Sequence, residues 1–220
     1  MSNEFVAVLD APDAQLIINR VQALPDGEAR CRKLFYEWVG DDKRAEFING
    51  EIVLPFPTPH VNLEAEQRLF TLLFAHVEAR NLGELAYTRA MISLTRNDYE
   101  PDICFWRSEI ANEFIDDLLY FPTPDFIIEG LQLETEERDR GIKFEDYAAH
   151  GVREYWLIDP RRQLIEQYVL DEAFMAFEAV GTFKLPDSIT AVTVPGFTIP
   201  VRAIFDQQTN RETLLTLLNP

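Results

Sequence analysis

Asp102, Glu129 and Lys143 are the residues whose types and spacing could carry chemistry. Asp102 stands near the start of Pro101-Asp102-Ile103-Cys104-Phe105-Trp106, and Glu129 closes Asp125-Phe126-Ile127-Ile128-Glu129. Each run is short, apolar and bounded by turn residues, the pattern of a buried strand. Lys143 follows in a helical stretch, with Tyr147 and His150 about one and two turns further along the same face. Two carboxylates on adjacent strands can share a divalent cation. A lysine beside them can orient or deprotonate a water and neutralise charge developing on a phosphorane. The chemistry this points to is metal-dependent phosphodiester hydrolysis.

Two Pro-Asp pairs compete for the first acid, and strand geometry separates them. Asp125 and Glu129 lie four residues apart on one run, so their α-carbons are roughly 13 Å apart. Ligands of one hard cation need oxygens about 2.0–2.6 Å from it, which such a pair can hardly supply. Asp102 lies on a different run; if the two strands are neighbours, Asp102 and Glu129 can meet over one ion, and Asp125 is left to start its strand. Glu46 and Glu51 share a face opposite Phe47 and Ile52. The plain reading of that face is solvation; the sharper one makes Glu46 a third metal acid. His60 reads as a helix-start or surface residue, with substrate contact as the alternative. His150 near a helix C-terminus suits the dipole. Tyr155 and Trp156 read as core, with base stacking as the alternative.

The elements that must position these groups are legible from pattern. Pro12 to Leu24 and Glu28 to Val39 read as two helices split by Pro25-Asp26-Gly27. Asn49-Gly50 between alternating runs marks a hairpin. From His60 to Arg80 the residues Leu63, Leu69, Phe70, Leu73, Phe74 and Val77 recur at helical spacing, and Asn81-Leu82-Gly83 ends the helix. Strands are expected at 84–94 and 101–106 with Arg96-Asn97-Asp98 as the turn, then an acidic connection at 108–120. A strand at 125–129 leads to a helix near 138–149 closed by Gly151. Strands at 153–158, 163–170, 174–183 and 188–194 and a helix near 211–217 complete the chain. That order predicts a mixed central sheet flanked by helices, an α/β domain over 41–220 behind an N-terminal helical extension at 1–40.

With 220 residues and 47% hydrophobic content the chain can bury a full core. The net charge of −18 argues against strong non-specific nucleic-acid affinity. Phosphates would have to be met locally, by a metal ion and by Arg89, Arg96, Arg138, Arg140, Arg161 and Arg162. Cys31 and Cys104 read as reduced, buried thiols, which with no secretory signal at the N-terminus suits a cytoplasmic protein.

The block Glu129 to Pro160 resembles the Uma-type restriction-endonuclease family of the PD-(D/E)XK nuclease superfamily. The similarity extends to Ala45–Val53, Pro59-His60, Pro101-Asp102, Pro195-Gly196-Phe197 and Val201–Phe205, which is most of the chain beyond its first 40 residues. The most specific part is Gly151-Val152-Arg153-Glu154-Tyr155-Trp156 with Asp159-Pro160. The resemblance implies a restriction-endonuclease-like fold, Mg²⁺ (or Mn²⁺) dependence, DNA as substrate and a homodimer. Asp102 and Glu129 would be the acids. The usual lysine, two residues after the glutamate, is replaced by Leu131, and Lys143 would supply the ammonium from the following helix. Gly130 stands where a β-branched residue is usual, and Gln132 and Glu134 where serines are usual. Gln132 could polarise the water. These departures and the charge keep open a rival reading, a nuclease-like module that binds or assembles without turnover.

Overall fold

The computed structural model describes residues 14–40 and 43–218. The chain divides into two compact units, one of residues 1–55 with 95–99 and one of 56–94 with 100–220.

In the first unit a single helix, α1 (Ala14–Val39), replaces the two expected. Pro25 removes one N–H donor but holds the φ of a helix, so the Pro-Asp-Gly run is tolerated inside it. Pro12 lies outside the described residues. Strands β1 (Glu46–Ile48) and β2 (Glu51–Val53) form the expected hairpin, with Ile48 opposite Glu51. Asn49 and Gly50 both have positive φ, 52° and 87°, as a two-residue primed turn requires. Residues 96–98 are not simply a turn. Asp98 begins β5 (Asp98–Tyr99) and pairs with Phe47 of β1. Its buried carboxylate is gripped by Arg32, Nε and Nη2 each at 2.6 Å, and by the Tyr36 hydroxyl at 2.8 Å. A buried charge so paired is a structural anchor. Cys31 is exposed on α1, contrary to expectation, whereas Cys104 is buried.

The second unit is built on helix α2 (His60–Arg80) and a six-stranded mixed sheet in the order β11-β10-β9-β8-β6-β3. Its strands are β3 (Gly83–Tyr87), β6 (Ile103–Arg107), β8 (Phe126–Gly130), β9 (Glu154–Asp159), β10 (Leu164–Asp171) and β11 (Ala176–Lys184). The run 84–94 does not form one strand. Thr88 and Arg89, with φ of 51° and 60°, turn the chain out of β3 before β4 (Met91–Ser93). Strand β4 pairs in parallel with β7 (Tyr120–Phe121), and the 108–120 connection holds a short helix, α3 (Ser108–Ala111). Likewise 188–194 yields only β12 (Ser188–Thr190), which pairs with β13 (Thr198–Pro200). Helices α6 (Arg202–Phe205) and α7 (Gln207–Leu218) end the described chain. The helix expected near 138–149 is two, α4 (Glu136–Arg140) and α5 (Ile142–Ala149), broken at Gly141.

Strands β6 and β8 are antiparallel neighbours, while β8 and β9 are parallel. A parallel pair needs a long crossover, and residues 131–153 supply it with α4 and α5. This connection carries Lys143 to β8. Strand alternation sends Phe126 and Ile128 into the main core with Leu69, Leu73, Trp156 and Phe197. Glu129 points to the other face, toward α5. The buried stripe of α2 contains Asn62, Glu66 and His76 beside Ala65, Leu69, Leu72, Leu73 and Val77, whereas Leu63 and Phe74 are exposed. His76 is part of the core, with Nε2 2.9 Å from the Pro195 carbonyl and its ring edge-on to Phe197. Among the described residues no helix is long and apolar enough to cross a membrane.

Candidate active site

The β6–β8 register places Ile103 opposite Ile128, which sets Asp102 against Glu129 at the open end of the two strands. Their contacts are reciprocal. The Asp102 amide donates to Glu129 Oε2 at 3.3 Å, and the Gly130 amide donates to Asp102 Oδ2 at 2.8 Å. Asp125, by contrast, sits at the other end of β8. It takes the Arg107 amide at 3.0 Å and Arg107 Nε at 2.8 Å, the role of a strand-start anchor.

Lys143 and Tyr147, one turn apart on α5, converge on one oxygen. The Lys143 ammonium donates to Glu129 Oε1 at 2.9 Å and the Tyr147 hydroxyl donates to it at 3.0 Å. The ammonium also lies 3.6 Å from Asp139 Oδ1 on α4. Asp139 is held in turn by the Thr135 hydroxyl at 2.7 Å, and its carbonyl accepts from Tyr155 at 3.0 Å. The lysine is thus a buried, clamped group. His150, on the expected face, turns instead to Asp146, with Nδ1 2.8 Å from the Asp146 carbonyl. Leu131, at the superfamily's usual lysine position, is buried, and its carbonyl accepts from Asn62 Nδ2 at 2.9 Å. Gln132 bonds to none of these side chains; its Oε1 is buried with no hydrogen-bond donor among the described residues. Glu46 lies in the first unit, opposite Val53 on the hairpin.

Glu66 is the site residue that the sequence reading missed. A Cβ on residue 130 would collide with Glu66 Oε1 and stand 3.4 Å from Asp102 Oδ2. Gly130 shares its strand face with Phe126 and Ile128, toward α2. The missing side chain therefore lets the α2 carboxylate approach Asp102, which accounts for glycine where a β-branched residue is usual. The available signal was a glutamate three residues before Leu69 and seven before Leu73, inside the buried stripe.

The electrostatics follow from this crowding. Burial, and then the charge of Glu66, push the Asp102 carboxyl up to about 7. Burial and then the Glu129 charge also raise the Cys104 thiol and the Tyr155 hydroxyl well above their usual values. A group of acids that resists ionising together is one that a cation would relieve. Among the described residues no three His, Cys, Asp or Glu side chains are arranged to hold a metal ion. Mg²⁺ is ordinarily held by one or two carboxylates and several waters, so Asp102 and Glu129 fit it by donor type and number.

The expected phosphate-binding arginines are partly engaged elsewhere. Arg96 is paired with Glu28, Arg162 with Asp159, and Arg140 with Glu166 through Nη1 at 2.6 Å and Nη2 at 2.9 Å.

The family model described as "Putative restriction endonuclease", Uma2, matches residues 32–202. A crystal structure of "a putative nuclease belonging to DUF820" from Anabaena variabilis ATCC 29413 superposes with a TM-score of 0.66 at 18% identity. The match covers 82% of this chain and 96% of that one, and it shows that the two share a fold, a mixed sheet flanked by helices. No curated protein matches the chain. With the family model spanning most of its length, the chain belongs to the Uma2 family.

Proposed function

We propose that this protein is a Mg²⁺-dependent endonuclease that hydrolyses DNA phosphodiester bonds, with Asp102 and Glu129 as the metal-holding acids and Lys143 as the ammonium of the site. The observation that carries the proposal is the convergence of Asp102, Glu129 and Lys143 at one end of two paired strands, in a chain of this family. When bound, the divalent cation supplies Lewis-acid polarisation of the phosphoryl group and eases ionisation of the attacking water. Mn²⁺ has the same preference for hard oxygen donors. Asp102 and Glu129 orient their oxygens through the Gly130 and Asp102 amides, so the acids are positioned before any ligand arrives. Lys143 fixes Glu129 and offers a positive charge where the phosphorane becomes more negative.

Glu66 is a further acid we assign to the site, and it strengthens attraction for the cation. Gln132 enters through its buried carbonyl oxygen, an acceptor available to a water. With a net charge of −18, DNA binding is expected to be weak in EDTA and to strengthen with divalent metal. Cutting both strands takes two sites, so we include a homodimer in the proposal.

The test is cleavage of supercoiled plasmid. Wild type with Mg²⁺ is expected to nick and linearise it; Asp102→Asn and wild type in EDTA are not. Cleavage by Asp102→Asn at the wild-type rate would refute the assignment. Absence of cleavage with either Mg²⁺ or Mn²⁺, with DNA binding retained, would favour a binding module.

A further inference from the structure

We propose a second ligand site at the opposite end of the sheet, a cavity that binds the oxyanion of a small organic phosphate or carboxylate between Arg107 and Arg153. The cavity has a volume of about 320 Å³ and is lined by Arg107, Arg153, Val169, Leu170, Glu172, Val192 and Thr193. That size is at the small end of ligand pockets, roughly 300–1,000 Å³. Arg107 lies five residues along β6 from Asp102, about 16 Å away at the usual strand rise. The cavity is therefore remote from the candidate active site.

The pairing there differs from that of five other arginines. Arg32, Arg68, Arg96, Arg140 and Arg162 each have a carboxylate partner of their own. Arg107 and Arg153 share one, Asp125, at 2.8 and 3.6 Å, both through Nε. One buried carboxylate balances one guanidinium, and the second is offset only by Glu172, exposed at the rim where water screens it. The binding through Nε leaves the terminal amino groups of both arginines for a ligand, the fork that suits a phosphate or carboxylate.

The wall of the cavity is fixed in place. The fully buried Glu154 accepts from the Val192 amide at 2.8 Å and from the Thr193 amide and hydroxyl, each at 2.7 Å. These donors are engaged, so recognition falls to the two guanidiniums. Val169, Leu170 and Val192 offer an apolar surface for a short hydrocarbon body. Glu172, exposed at the rim, disfavours ligands with several negative charges. The fit is to one oxyanion head carrying an apolar body.

Calorimetric titration of the metal-free full chain with butyl phosphate, butyrate and inorganic phosphate tests this. Saturable binding of at least one organic anion, tighter than inorganic phosphate, is expected, and the stronger of the two identifies the head group. Arg153→Gln should weaken it about tenfold, the scale of a lost charge-assisted contact. Asp102→Asn should leave it unchanged, since the active site lies elsewhere. Glu172→Gln, an exposed change that leaves the Asp125 pairing intact, should tighten it about threefold by removing the rim charge. The proposal is overturned by no saturable binding to wild type, by equal affinity in Arg153→Gln, by loss of binding in Asp102→Asn, or by an unchanged affinity in Glu172→Gln.

Discussion

Replacing Lys143 with methionine isolates the most consequential contact in the site. The Lys143 and Glu129 side chains are 7% and 5% exposed and meet at 2.9 Å. Methionine keeps most of the stem but removes the ammonium. Glu129 and Asp139 are then left as buried carboxylates beside Asp102 and Glu66. Removing one partner of a buried ion pair costs about 3–5 kcal/mol, because the remaining charge is uncompensated. At about 2–4 °C per kcal/mol for a chain of this size, the melting temperature should fall by about 6–20 °C. Glu129→Gln should cost less, about 1–2 kcal/mol: it removes a negative charge from a crowded group, keeps an acceptor for Tyr147, and leaves Lys143 beside Asp139. Urea and thermal unfolding of the three proteins in EDTA measure both. If Lys143→Met lies within about 1 kcal/mol of wild type, or Glu129→Gln is the more damaging, then Lys143 is not what balances the buried acids and the reasoning fails.

Other outcomes follow from the same geometry. Because the folded Asp102 carboxyl titrates near 7 and the unfolded one near its usual 3.8, the folded state binds more protons between those values. The metal-free protein should therefore lose stability from pH 4 to 7 relative to Asp102→Asn, as pH-dependent urea melts would show; parallel curves would exclude this. His76 is the opposite case. Burial holds its imidazole below the usual value, so the unfolded state takes up the proton first, and stability should fall as pH drops through about 6.5. His76→Gln should flatten that slope. Gly130→Val should cost about 1–3 kcal/mol through overpacking against the Glu66 carboxylate. The cost should shrink in a Glu66→Ala background, and a double-mutant cycle giving no coupling would argue against the contact.

What the sequence revealed and concealed has a physical pattern. Asp102 and Glu129 could be paired in advance because strand spacing excludes Asp125 and the Glu129 run has only a few possible neighbours. Lys143 was within reach because a parallel β8–β9 pair obliges a crossover helix to return over the sheet. Asn49-Gly50 announced its hairpin because few other residues tolerate that turn. Glu66 was missed because a periodicity count credits apolar residues and passes over a charged one in the same stripe. Local pattern shows only a turn at Asp98, because its partners, Arg32 and Tyr36, lie more than 60 residues away in sequence. Pro25 looked like a break because local propensity carries no information about what the rest of α1 packs against.

The central claim is that Asp102 and Glu129 hold a divalent cation. Anomalous diffraction from crystals soaked in Mn²⁺ tests it most directly. A peak is expected within about 2.0–2.6 Å of oxygens from both carboxylates, and it should be lost in Asp102→Asn. Well-ordered density for both acids with no peak between them, or a peak that persists in Asp102→Asn, would contradict the account.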